Sequence, residues 1–142
     1  SIDEVFALPT ASDMEKALMQ LSADAQHVNH AWAEKTLKAL HHQSPLMLHV
    51  SLEQVRRGRH MDLGSELRME RDLVRHCFFT QHLNRSGVSS ETVEGIRALA
   101  VDKDHQPKWN PARIADVTTE MVQPFFVSPW PAALHPLRHL ND

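Results

Sequence analysis

The chain has 142 residues, the length of one domain, and 42% of them are hydrophobic, enough for a modest core. Its net charge of −3 gives no bulk field favouring nucleic acid or an anionic membrane, and no apolar run approaches the ~18 residues of a membrane span. A single cysteine, Cys77, excludes an intrachain disulfide framework and suits a reducing compartment.

Four glycines, no tyrosine and few β-branched runs point to helices rather than a sheet. The chain opens at Ser1 without Met, and Ile2-Asp3-Glu4-Val5-Phe6 already reads as structured; the expectation is a piece of something longer. Ser12-Asp13-Met14-Glu15 reads as a capping box, with a helix to about Leu21. Asp24 can cap a second helix to about His42, with Val28, Trp32, Ala33, Leu37 and Leu40 inward. Ser44-Pro45 is a further start signal, Ser as cap and Pro at the first helical position. Leu48, Leu52 and Val55 then mark a buried face, and this helix stops near Gly58.

Asp62 can cap the longest helix, to about Asn84. Its expected inward stripe is Leu63, Leu67, Val74, Cys77 and Phe78, and its outer face Arg68, Arg71, Asp72 and Arg75. Asn84 to Ser90 is the clearest loop, and Ser89 or Ser90 can cap the helix after it. That helix carries Ile96, Leu99 and Ala100 at i, i+3, i+4 and breaks at Asp102-Lys103-Asp104 into a Pro-bracketed loop, Pro107-Lys108-Trp109-Asn110-Pro111. A last short helix should run from Thr118 to about Phe126, before an irregular tail from Ser128 to Asp142. The fold class is all-α, a single helical domain over residues 1–142 of about six helices.

Little in this pattern carries chemistry. The 11 histidines lack both HExxH and Cys/His zinc spacing, so no metal site is expected. His76 neighbours Cys77, but adjacent helical residues point about 100° apart, and Cys77 lies on the apolar stripe; a core cysteine is the better reading than a nucleophile. Glu66 and Glu70 can pair with Arg68 and Arg71 along a helix, and Asp102-Lys103-Asp104 reads as a helix-end charge cluster rather than an acid/base couple. Arg56-Arg57-Gly58-Arg59-His60 could meet a phosphate, but the preferred reading is a solvated helix C-terminus whose cations complement the dipole. Gly58, Gly64, Gly87 and Gly95 are scattered, so no glycine-rich loop offers paired amides to an oxyanion or phosphate. Trp32, Trp109 and Trp130 form no readable stacking platform.

The stretch Glu94 to Pro111, EGIRALAVDKDHQPKWNP, resembles the C-terminal signature of 3-hydroxyisobutyryl-CoA hydrolases, a branch of the crotonase (enoyl-CoA hydratase/isomerase) superfamily. QSPLMLHVSLEQVRRG (43–58), LRMERDLVRHCF (67–78) and VTTEMVQPFF (117–126) resemble the family's flanking elements in order and spacing. Residues of about Gln81 to Ser90 look like an insertion, and the proline-rich tail has no family counterpart.

The resemblance implies a C-terminal helical region detached from a β/α spiral core that supplies the oxyanion amides and the catalytic carboxylates. No catalytic residue of the family maps onto this chain. The implied role is to cover the acyl-CoA site of a thioester hydrolase acting in valine catabolism and to build contacts in a homo-oligomer. Such a protein is cytoplasmic in a bacterium and in the mitochondrial matrix in a eukaryote. Lys103 and Lys108 are the candidates for CoA phosphate contacts, with exposed loop lysines as the plain alternative; Leu99 replaces an aromatic that approaches CoA in the superfamily. The rival readings are a helical binding or structural module that keeps the family's tail and does no chemistry, and a parent acting as an enoyl-CoA hydratase/isomerase. In either case Met47, Leu48, Val74, Phe78 and Leu99 are expected to leave an apolar face exposed, so that the isolated piece self-associates.

Overall fold

A computed structural model describes residues 2–140, with the side chains of residues 82 and 88 left out. Among the described residues it holds seven α-helices, several short 3-10 turns and no strand, as the all-α expectation requires. The helices are α1 (Ile2–Phe6), α2 (Ala11–Ala23), α3 (His30–His42), α4 (Pro45–Gly58), α5 (Leu63–Phe78), α6 (Glu91–Ile96) and α7 (Thr119–Val122).

Several caps lie where the sequence puts them. Ser44 Oγ accepts from the Met47 amide at the head of α4, Asp62 from Ser65 at α5, and Ser90 from Val93 at α6. Each satisfies a backbone donor the first helical turn would otherwise leave open. Two caps differ. Thr10, not Ser12, caps α2: its backbone is extended (φ −132°, ψ 156°) and its Oγ1 accepts from the Asp13 amide, which places Ser12 inside the first turn. Asp24 closes a turn by accepting from the Gln26 amide, and α3 starts only at His30. Val28, expected inward, therefore sits in the connecting loop and is 90% exposed. Thr118 precedes α7 with no side-chain cap bond, and α7 tightens after one turn into a 3-10 segment, Gln123–Phe126.

Two apolar clusters form the core. Val5, Met14, Leu18 and Ala33 join α1, α2 and α3, while Leu46, Val50, Met69, Leu73, Val122 and Phe125 join α4, α5 and the α7 region. Helix α4 serves both clusters from different faces, since Leu52 packs against the first. Its fully buried residues are Leu46 and Val50; the expected Leu48 and Leu52 are half-buried, and Val55 is 59% exposed.

Helix α5 shows the largest departure. It ends at Phe78 rather than Asn84, where 3-10 turns at Thr80–Leu83 and Gly87–Ser89 and a left-handed Asn84 (φ 52°) take over. Its buried residues are Gly64, Met69, Asp72, Leu73 and His76, whereas Leu63, Val74 and Phe78 are exposed. The helix is rotated relative to its apolar stripe because the tail lies along the charged side. Ser128 Oγ donates to Asp72 Oδ1 (3.1 Å), and His135 Nε2 approaches the same oxygen (3.2 Å). Arg68 donates to the Leu137 and Leu140 carbonyls, and His76 Nε2 meets the Val127 carbonyl at 2.8 Å. The tail is irregular, as expected, through residue 140; residues 141 and 142, like Ser1, lie outside the described residues.

Candidate functional site

The Glu94–Pro111 segment is built around one arginine. Glu94 and Arg97 are one helical turn apart, so a two-pronged pair forms: Arg97 Nε and Nη2 donate to the two Glu94 oxygens at 2.9 and 2.8 Å. Arg97 Nη1 also reaches Asp102 (2.6 Å) and Asp104 (2.8 Å), and Nη2 donates to the Gln106 carbonyl (3.0 Å). The Asp102-Lys103-Asp104 turn is thus a charge cluster at a helix end, with Arg97 at its centre. A π-helical turn, Arg97–Val101, closes the helix through Asp102 N–H to Arg97 O at 2.8 Å. The added residue shifts the helical phase. Ala98 is buried, while Ile96, Leu99 and Ala100, the apolar face read from the sequence, are exposed.

From Asp102 the chain reverses. Lys103 and His105 both adopt left-handed backbone (φ 55° and 54°), a conformation that costs an L-residue roughly 1–2 kcal/mol. The surrounding bonds hold it. Asp104 accepts from the Gln106 amide, and Glu94 Oε1 accepts from the Lys108 amide at 2.5 Å. The Arg97 guanidinium and the Lys108 amide together pull the Glu94 carboxyl down to about 2, and the same guanidinium lowers Asp104.

The rest of the loop is pinned to the helical body. Trp109 Nε1 donates to the His42 carbonyl at the end of α3 (3.1 Å), and its ring lies across Gly95, where a Cβ would stand 3.4 Å from it. The Asn110–Pro111 bond is cis. Glu91, buried, gathers Ser44 Oγ and Arg85 Nη1, and Arg85 also reaches the Asn110 carbonyl. The start of α4, the 81–90 segment and the loop therefore meet at one carboxylate. Lys103 and Lys108 are both exposed on this braced loop.

The other candidates fall apart as sites. His76 and Cys77 point apart: His76 is buried toward Val127, and Cys77 is half-buried beside Thr92, where burial pushes its thiol up. Ser128, Asp72 and His135 lie together, but Asp72 sits between the other two and no serine–histidine bond forms, so the order needed to activate a nucleophile is absent. Arg56 grips the Leu8 and Pro9 carbonyls; Arg57 pairs with Glu53 and covers the Phe126 ring at 4.2 Å. Glu70 accepts from Gln54, and Arg71 lies over Trp130. Among the described residues no cluster of three His, Cys, Asp or Glu could hold a metal ion.

Sequence reading did not single out Arg97, Glu91 or Arg85. The Glu94-x-x-Arg97 spacing was a usable signal for the first. The Ser44–Glu91–Arg85 cluster joins residues 47 and 6 positions apart and leaves no local pattern.

Comparison with known proteins shows what the chain is similar to in sequence. Residues 1–126 match the enoyl-CoA hydratase/isomerase family, so residues beyond 126, most of the tail, lie outside the match. The chain is 34% identical over 125 residues to 3-hydroxyisobutyryl-CoA hydrolase 1 of Arabidopsis thaliana, covering 88% of this chain and 31% of that protein. It is 30% identical to the mitochondrial 3-hydroxyisobutyryl-CoA hydrolase of Gallus gallus, over 88% of this chain and 30% of the relative. It is 36% identical to the small ribosomal subunit protein mS47 of Arabidopsis thaliana, over 88% and 28%. The chain spans about a third of the length of these relatives. With a match over most of its residues, this chain belongs to the enoyl-CoA hydratase/isomerase family.

Proposed function

We propose that this chain is the helical C-terminal region of an acyl-CoA thioester hydrolase acting on 3-hydroxyisobutyryl-CoA or a related short 3-hydroxyacyl-CoA in valine catabolism. The carrying observation is its 30–34% identity to 3-hydroxyisobutyryl-CoA hydrolases over 88% of its length. The chemistry resides in a core outside these residues, and this region covers the CoA site and supports contacts between subunits. The braced loop favours that role. Two left-handed residues held by an arginine network make a surface of fixed shape, which suits docking against a coenzyme. Lys103 and Lys108 are the phosphate contacts on that surface. In a eukaryote the site of action is the mitochondrial matrix, in line with the Gallus gallus relative being named as mitochondrial.

The mS47 relative supports a second reading, a non-catalytic module recruited into an assembly. A coenzyme A release assay on the longer protein carrying this region separates the two. The hydrolase turns over short 3-hydroxyacyl-CoA thioesters, and Lys103→Ala or Lys108→Ala in it raises KM several-fold with kcat held. No turnover of these substrates refutes the enzyme reading.

A further inference from the structure

Arg97 spends its whole guanidinium inside the chain. Five oxygens meet it: the two of Glu94 (2.9 and 2.8 Å), Asp102 Oδ2 (2.6 Å), Asp104 Oδ2 (2.8 Å) and the Gln106 carbonyl (3.0 Å). A guanidinium carries five N–H donors in a fixed planar fork, so donors and acceptors match one for one. The side chain is 26% exposed. Arg97 thus has no donor left for an incoming anion, and whatever it does for a ligand passes through the groups it holds.

Those groups lie around the two candidate lysines. Asp102 and Asp104 flank Lys103 in sequence, and a single nitrogen, Nη1, holds both. Lys103 has φ 55° and His105 has φ 54°, backbone that such residues keep only where their surroundings impose it. A second arm runs through Glu94. Nε and Nη2 fix its carboxylate, and Glu94 Oε1 accepts from the Lys108 amide at 2.5 Å. Nη2 also holds the Gln106 carbonyl, two residues before Lys108. One side chain therefore sets the backbone from which both lysines project.

We infer that Arg97 is the positioning residue for both lysines: through Asp102 and Asp104 it aims Lys103 at a coenzyme phosphate, and through Glu94 it aims Lys108. This rests on the reading that the two lysines meet the phosphates of an acyl-CoA. A lysine ammonium is a point charge on a flexible four-carbon stem, so its direction comes from the backbone beneath it. A turn fixed beforehand meets the coenzyme without the entropy of ordering the loop on binding. The effect of Arg97 belongs to substrate binding and not to bond breaking.

The test is steady-state coenzyme A release by the full-length parent, with Arg97→Gln placed in the native background and in a Lys103→Ala/Lys108→Ala background. In the native background KM for a short 3-hydroxyacyl-CoA should rise roughly tenfold with kcat held. In the lysine-free background the same change should move KM by less than about twofold, because the groups it aims are gone. Arg97→Lys keeps the charge and loses the fork, and should raise KM as well. Asp102→Ala/Asp104→Ala alters only outer side chains, 51% and 37% exposed, and carries the test where Arg97→Gln does not fold. It should raise KM in Lys108→Ala, where Lys103 remains, and leave it unchanged in Lys103→Ala. A native KM in Arg97→Gln or Arg97→Lys, an undiminished rise in the lysine-free background, or no rise from the aspartate pair in Lys108→Ala would overturn the assignment. Failure of the coenzyme reading shows elsewhere: the parent gives no turnover, or Lys103→Ala/Lys108→Ala alone keeps the native KM, and the assignment then falls with that reading.

Discussion

Glu94 joins the end of α6 to the loop that follows it. One of its oxygens receives both the Arg97 guanidinium and the Lys108 amide, which ties the helix to the loop 14 residues further along the chain. Its carboxyl is held at about 2 against an ordinary 4.5. A lowered folded-state pKa contributes stability that is fully present above the unfolded value and is lost as pH falls through the folded one. Protection of the Lys108 amide from hydrogen exchange should therefore persist from neutral pH to about 4.5 and disappear towards 2. Glu94→Gln should remove that pH step and speed exchange at neutral pH, as followed by NMR. A Lys108 amide that exchanges equally fast in both proteins at pH 7 contradicts the clamp.

At the scale of elements, caps and faces behave differently. Ser44 both caps α4 and donates to Glu91, so Ser44→Ala should lower stability by about 1–2 kcal/mol, measured by chemical denaturation. That cap was legible because a serine before proline acts within one turn. The inward face of α5 was not legible. Its apolar stripe predicts Val74 and Phe78 inside, yet Asp72 and His76 are buried instead, because the hydrogen bonds that bury them come from residues 51 to 63 positions away. Val74, Phe78 and Leu99 are apolar and exposed, as the sequence leads one to expect of an apolar face left open, while Met47 and Leu48 are half-buried. The braced loop was half legible. Its turn, prolines and charge cluster are local, whereas the Trp109 bond to His42 and the Glu91 junction are long-range. Asp72→Ala should cost about 1–3 kcal/mol by leaving Ser128 and His135 without their acceptor, and limited proteolysis should then cut the tail after residue 127 first. An unchanged digestion pattern would show that the tail is held without Asp72.

On the whole molecule, two modest cores sit under a surface with many large apolar side chains, from Ile2 and Phe6 to Val55, Phe78 and Leu99. Surfaces of this kind are normally covered. The 142-residue piece should therefore self-associate, with a sedimentation coefficient that rises with concentration; a strictly monomeric profile at high concentration counts against a covered face. The helices supply no glycine-rich amide pair and no ordered nucleophile, so the piece alone should not hydrolyse thioesters. Family membership places the chain in the enoyl-CoA hydratase/isomerase lineage, and the proposal assigns this region a covering rather than a reacting part. The most direct measurement is coenzyme A release from a short 3-hydroxyacyl-CoA, run side by side on the full-length parent and on the 142-residue chain. The account predicts turnover by the parent and none by the chain; turnover by the chain alone, or none by the parent, would contradict it.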